Sequence, residues 1–160
     1  MTILRSVING VRNVFTRFGS LFEETQVARF VTVVGSGPGF TVPDLTSPLP
    51  VSDRHIQDID APGLVSESLP VIMYRTTHTG SPSFSVRLNS TRLTQHTFAA
   101  VGPYSWHEIV PKGALKPEDN ELTLAVSGDG AVRFSDIVIF YTSNKLTGKI
   151  AFPDPVLDPG

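Results

Sequence analysis

The stretch from Ser105 to Tyr141, SWHEIVPKGALKPEDNELTLAVSGDGAVRFSDIVIFY, restricts the possible folds more than any other part of the chain. Leu122, Leu124 and Val126 fall on one side of an extended backbone, with Thr123 and Ala125 on the other. The alternation resumes after Gly128-Asp129-Gly130 with Val132, Phe134, Ile137, Ile139 and Tyr141. A two-residue repeat belongs to a half-buried strand, so both segments read as strands. An Asp-Gly pair between them is a strong hairpin signal, and a turn is expected at residues 128–130. The fold class that follows is mainly β, an antiparallel sandwich rather than an α/β enzyme fold.

The same reading places strands at 27–34, 71–77, 83–88, 91–94, 97–101 and 107–110. Turns are expected at 78–82 (HTGSP), at Asn89-Ser90 and at 111–117. Residues 41–70, rich in Pro, Ser and Asp, read as a long irregular connection carrying one short strand near 63–69. Roughly seven to nine short strands at about 8–12-residue spacing suggest a sandwich or barrel.

Residues 1–26 follow a different rule. Ile3, Leu4, Val7, Ile8, Val11, Val14, Phe15, Phe18, Leu21 and Phe22 recur at steps of three and four, an apolar stripe on an amphipathic helix. Arg5, Arg12 and Arg17 sit off the stripe. About ten apolar side chains, at roughly 1.5–3 kcal/mol each, drive such a stripe toward cover. The cover is the chain's own sheet, another protein subunit, or an anionic membrane surface. Asn9-Gly10 and Arg12-Asn13 interrupt the contiguous apolar block that a secretory signal needs. The expected organisation is therefore a helical segment at 1–26, a β domain at 27–145 and an extended Pro-rich tail at 146–160 ending in FPDPVLDPG.

Several chemistries are disfavoured by composition. With no cysteine there is no thiolate nucleophile, disulfide or cysteine zinc site. A net charge of −2 supplies no general basic field for nucleic acid. No apolar run is long enough to span a bilayer. GSGPGF at 35–40 invites a phosphate-loop reading, but it lacks the Gly-Lys-Ser/Thr ending. Pro38 removes an N–H that would face an anion.

Three segments carry a resemblance. VRLNSTRLTQHTF, WHEIVPKGALKPEDNELTLAVSG and VRFSDIVIFY, over about residues 70–141, resemble the galactose-binding-domain-like jelly-roll sandwich. The matching features are the Asn89-Ser90 turn, the turn LKPEDNEL at 115–122 that feeds a strand, and the closing strand entry Phe134-Ser135-Asp136-Ile137. The Gly usual in that LKPG turn is Glu118 here, so the turn is expected to differ locally. The resemblance implies a jelly roll of the kind found in carbohydrate-binding modules and in sugar-binding domains of glycosidases. It also implies a loop calcium in some members, for which Asp58 and Asp60 are the weak metal candidates here. The run SDRHIQDID around them otherwise reads as a solvated loop.

Tyr104, Trp106 and His107 form the sharpest aromatic-polar cluster. An exposed Trp or Tyr offers a flat face for sugar C–H groups, with polar neighbours for hydroxyls. Arg75, Arg87 and Asn89 are candidates to join them. Alternatively, Trp106, the single tryptophan, plugs the sandwich. His55, His78, His96 and His107 are dispersed, with no nucleophile elbow near any serine. The expected role is non-enzymatic and cofactor-free: a structural or accessory subunit docking on other protein subunits. A glycan-binding module is the alternative, and peripheral membrane attachment a second.

Overall fold

The computed structural model of this protein describes residues 26–35 and 37–145. Residues 1–25 of the segment expected as a helix over 1–26, with its docking stripe, and the tail at 146–160 lie outside the described residues. The described residues form seven antiparallel strands and no helix: β1 Val27–Val34, β2 Phe40–Val42, β3 Asp53–Ile59, β4 Val71–Leu88, β5 Thr91–Thr97, β6 Tyr104–Ile109 and β7 Asn120–Ser143. The mainly-β class and the alternation of residues 122–126 hold: Leu122, Leu124 and Val126 are all buried.

Two long strands organise everything else. β4 and β7 pair with each other almost throughout, from Val71↔Phe140 to Leu88↔Leu122. The segments expected as turns at 78–82 and 128–130 are not reversals. They face one another inside the ladder, with Gly80↔Gly130, Ser81↔Asp129 and Pro82↔Gly128. The physical reason is that Gly80, Gly128 and Gly130 adopt φ of 71°, 87° and 122°, which glycine reaches without strain. Such residues serve a shared bend as well as a hairpin.

That bend makes the sandwich. Tyr74 and Phe84 lie ten residues apart on one strand, about 33 Å if it were straight. Their ring centroids are 6.1 Å apart. Each long strand therefore folds over on itself and serves both layers. One layer is β3, β7(120–127), β4(83–88) and β5; the other is β1 and β2, β7(132–143), β4(71–77) and β6. Phe84 and Phe134 meet edge-on between the layers at 5.5 Å. Around them Ile72, Val86, Leu88, Val132, Ile137 and Ile139 are fully buried, each contributing roughly 1.5–3 kcal/mol relative to exposure.

One bulge resets the pleat. Apart from Ala131 at the bend, the buried positions on β7 are even up to Phe134 and odd from Ile137. The switch is Asp136, at φ 52°, where the register with β4 slips between Met73 and Arg75. An extra residue in one strand has this effect on inward parity.

Several local expectations are corrected. Residues 53–59, expected as a solvated loop, form β3 and pair with 120–125 of β7. The strand expected near 63–69 is a single bridge, Leu64↔Ser143. Residues 98–103 are not a strand; β6 begins at Tyr104. In the turn before β7 the left-handed residue is Asp119, at φ 56°, one position after Glu118. Its N–H donates to Asp60 Oδ1 at 3.1 Å.

Candidate functional site

The pleat splits the Tyr104–Trp106–His107 cluster. β6 alternates half-buried Tyr104, Trp106 and Glu108 with exposed Ser105, His107 and Ile109. Trp106 lies in a box of rings between edge strands β5 and β6. His96 is nearly parallel to it at 4.0 Å, Tyr104 at 5.5 Å, and Phe84 meets it edge-on at 5.6 Å. Its Nε1 donates to Thr76 Oγ1 at 2.7 Å. The face expected for sugar stacking is thus engaged by the protein's own rings, as a plugging tryptophan requires.

Polar groups in the box are satisfied internally. Glu108 Oε1 accepts from the Tyr74 hydroxyl at 3.2 Å and lies 2.8 Å from His96 Nε2. Burial, and then the Glu108 carboxylate, push the Tyr74 hydroxyl pKa well above its ordinary value. Thr94 Oγ1 contacts the same His96 Nε2 at 2.9 Å. Proton relay from hydroxyl to carboxylate uses opposite imidazole nitrogens, so Thr94, His96 and Glu108 are not arranged as a triad.

The other sequence candidates do not converge. Asn89, at φ 53°, ties three segments together: its Nδ2 donates to Ala114 O at 2.8 Å and Asn120 Oδ1 at 3.0 Å, and its Oδ1 accepts from Glu121 N at 3.0 Å. Arg87 is exposed, opposite Thr123 and Arg92. Asp58 occupies the β3 bulge at φ 58°, and Asp60 is the acceptor for Asp119. Among the described residues no three His, Asp or Glu side chains gather as a metal site.

Arg75 is different, because it stands on an uncovered sheet face. On the outer side of the β1-β7-β4-β6 layer, Phe30, Phe140, Val71 and Ile109 form one cross-strand row. Beside it runs Thr32, Val138, Met73 and His107. Phe30 and Ile109 are 66% and 64% exposed, and Met73 and Phe140 44% and 41%. The Phe30 and Phe140 rings lie 6.0 Å apart. Toward the bend this apolar floor opens into a hollow of about 270 Å³ bounded by Met73, Arg75, Val138 and Phe140, with Ser105 and Trp106 also in its wall. A polar hollow of about 300 Å³ adjoins it, lined by Arg75, Thr77, Arg133, Ser135 and Asp136.

The bulge builds the polar end. Arg75 and Asp136 form an ion pair at 3.7 Å, and Ser135 Oγ donates to Asp136 Oδ2 at 3.1 Å. Arg133 is anchored by its Nε to Pro38 O. The result is a trough with two exposed rings and a methionine at one end, and two guanidinium groups, a carboxylate and hydroxyls at the other. Of the residues lining the two hollows, sequence reasoning found Arg75 and Trp106. The missed signal is the unbroken apolar runs VIMY and IVIFY, which supply apolar side chains to both faces of a strand.

No protein-family model matches the chain, and no curated protein sequence does. Among solved structures, dimeric latent PorU from Porphyromonas gingivalis is similar at a TM-score of 0.55 and 10% identity over 74% of this chain. This chain spans 13% of that protein's length. The CBM36-1 domain of a multidomain xylanase from the hindgut metagenome of Trinervitermes trinervoides aligns at 0.43 and 8% identity, over 71% of this chain and 96% of that one. A carbohydrate-binding module CBM36 in complex with calcium and xylotriose aligns at 0.39 and 12%, over 72% and 99%. The likeness to PorU is one of fold alone, and scores of 0.43 and 0.39 add nothing to it. At that level, the expected antiparallel β-sandwich holds.

Proposed function

We propose that this chain is a non-enzymatic binding module that takes carbohydrate in the trough on the outer face of the β1-β7-β4-β6 layer. The observation that carries the reading is the adjacency of two unlike surfaces. Phe30, Phe140 and Met73 offer apolar area for sugar C–H faces. Arg75, Arg133, Ser135 and Asp136 stand beside them as donors and acceptors for hydroxyls. A sugar ring has the same two characters, apolar on its faces and polar around its rim. The trough therefore takes the place that the sequence reading gave to Tyr104, Trp106 and His107.

Amide-shift titration of the full chain against neutral and uronic-acid oligosaccharides tests this. Shifts are expected at Met73, Arg75, Asp136 and Phe140, the residues that line the two hollows. Phe140→Ala and Arg75→Ala should each weaken binding about tenfold, or ~1.4 kcal/mol. No binding, or shifts confined to other surfaces, removes the proposal.

A second reading, docking on another protein subunit, is favoured by the row Phe30–Phe140–Val71–Ile109, which crosses all four strands. Uncovered apolar rows of this kind mark association surfaces. It predicts that Phe30→Ser abolishes co-purification with a partner, whereas sugar never competes.

A further inference from the structure

The polar end of the trough carries a pattern that recognition of hydroxyls alone does not require. On the outer face Ser135 of β7 stands opposite Arg75 of β4, and Arg75 opposite Ser105 of β6. One pleat nearer the bend, Thr41 of β2 stands opposite Arg133 of β7, and Arg133 opposite Thr77 of β4. Each guanidinium thus has a hydroxyl residue on either side. Arg75 and Arg133 are diagonal neighbours on one sheet face, with Cβ atoms about 7 Å apart. Both line the polar hollow of about 300 Å³. Like charges so placed repel, and an anion between them relieves the repulsion.

The two arginines are held differently. Arg75 is paired with Asp136 at 3.7 Å, and Ser135 Oγ donates to the same carboxylate at 3.1 Å. The Nε of Arg133 donates to Pro38 O. That bond fixes the plane of the guanidinium and leaves its two terminal amino groups for a ligand. Among the described residues no carboxylate pairs with Arg133.

On its other side Arg133 shares a second hollow with Arg54 and Asp44. The Arg54 guanidinium lies over the Phe40 ring at 5.7 Å. Asp44 Oδ1 accepts from Thr46 N at 3.0 Å and Thr46 Oγ1 at 2.7 Å. The two hollows together hold three guanidiniums, of Arg54, Arg75 and Arg133, against two carboxylates, of Asp44 and Asp136. The excess is one positive charge, on a chain whose net charge is −2.

We propose that Arg75 and Arg133 form an oxyanion subsite, so that the saccharide taken by the trough is an acidic one, bearing a carboxylate or a sulfate ester. This subsite rests on the trough being the carbohydrate site, and it narrows the class of sugar. The anion bridges the two guanidiniums, whose paired N–H groups match its oxygens. Thr77 and Ser135 supply hydroxyls beside it, while Met73 and Phe140 keep the apolar sugar face. A neutral sugar leaves the excess charge uncompensated.

Calorimetric titration of the full chain tests this with two matched pairs of probes. One pair is a trisaccharide of galacturonic acid and its methyl ester. The other is a galactose trisaccharide with and without sulfate on its primary hydroxyls. At least one anionic probe should bind about tenfold more tightly than its neutral partner, and the pair that shows the gain identifies the anion. The gain should shrink as salt is raised to about 0.5 M. Arg133→Gln should bring the anionic-to-neutral ratio close to one. Asp136→Asn should raise it, because Asn tolerates the left-handed backbone and removes the competing charge. Neutral probes that bind as tightly as both anionic ones would overturn the subsite and leave the trough a site for neutral sugar. A ratio that Arg133→Gln does not move would overturn it as well, by placing the anion elsewhere. Binding by none of the four would remove the subsite and the carbohydrate reading together.

Discussion

Asn120 shows how much one side chain holds. It is fully buried. Its Nδ2 donates to Ile59 O at 2.8 Å and Lys116 O at 2.9 Å, while its Oδ1 accepts from Lys116 N at 2.8 Å and Asn89 Nδ2 at 3.0 Å. One amide thereby closes the turn before β7 and pins the end of β3. Asn120→Asp keeps the shape but sets a carboxylate against two carbonyl oxygens. A loss of about 3 kcal/mol or more is expected in urea unfolding at neutral pH, with partial recovery on acidification as the carboxyl regains a donor. An unchanged midpoint would show that these bonds do not form. His55 makes the complementary, weaker case on the surface. The Glu121 carboxylate 2.6 Å from its Nδ1, and then Asp53, raise the His55 pKa above 6.5. Glu121 is lowered from 4.5 chiefly by the same bond. The His55 contribution is complete below pH 6.5 and disappears as pH rises through its folded pKa; that of Glu121 is complete above pH 4.5 and disappears on further acidification. The pair therefore supports the fold most between those values. His55→Gln should destabilise the protein at pH 5.5 and make little difference at pH 9, as read from paired melting curves. His55 is exposed and Glu121 only partly covered, so the effect is small and salt-sensitive.

At the scale of elements, the bend shared by β4 and β7 decides the architecture. Gly130 is its tightest point: a Cβ there would lie 1.9 Å from Thr79 O, at a φ of 122°. Gly130→Ala should cost about 3 kcal/mol or more, because left-handed strain and a backbone clash act together. A wild-type melting temperature for that variant would rule out the bent, paired arrangement. The Asp136 bulge does its work differently. It turns the strand's apolar set from even to odd positions, and places Ser135 and Asp136 together beside Arg75. The alternation of residues 122–126 and 132–141 was legible, but the phase change between Phe134 and Ile137 emerges only with the bulge at Asp136. A bulge and a loop residue leave the same trace in a sequence. The glycine-rich segments at 78–82 and 128–130 were legible as backbone punctuation. Only their mutual pairing distinguishes a bend from two hairpins.

At the scale of the molecule, the two faces of each layer have separate fates. The inner faces meet around Phe84, Phe134 and Tyr74. Leu124→Asp would bury an unpaired charge there, and loss of the folded protein is expected in soluble expression. Phe140→Ala, on the outer face of the other layer, should leave the fold intact. Of the sequence candidates, Arg75 reaches the trough, Trp106 stacks on His96 and also lines the apolar hollow, His107 points outward, and Arg87, Asn89, Asp58 and Asp60 lie elsewhere. The reason is distance along the chain. Phe30, Met73 and Phe140 come from three strands widely separated in sequence, and adjacency of that kind has no local signature.

Taken alone, the sequence determined which residues alternate, and hence that the chain folds into antiparallel strands with Leu122, Leu124, Ile137 and Ile139 inside. Burial of a two-residue repeat is a local property of an extended backbone, so it can be read one segment at a time. Tertiary structure alone decided that Gly80 and Gly130 oppose each other, that Trp106 stacks against His96, and that Arg75 meets Asp136 beside Phe140. Those pairings depend on strand order and register, which are set by how whole faces fit together.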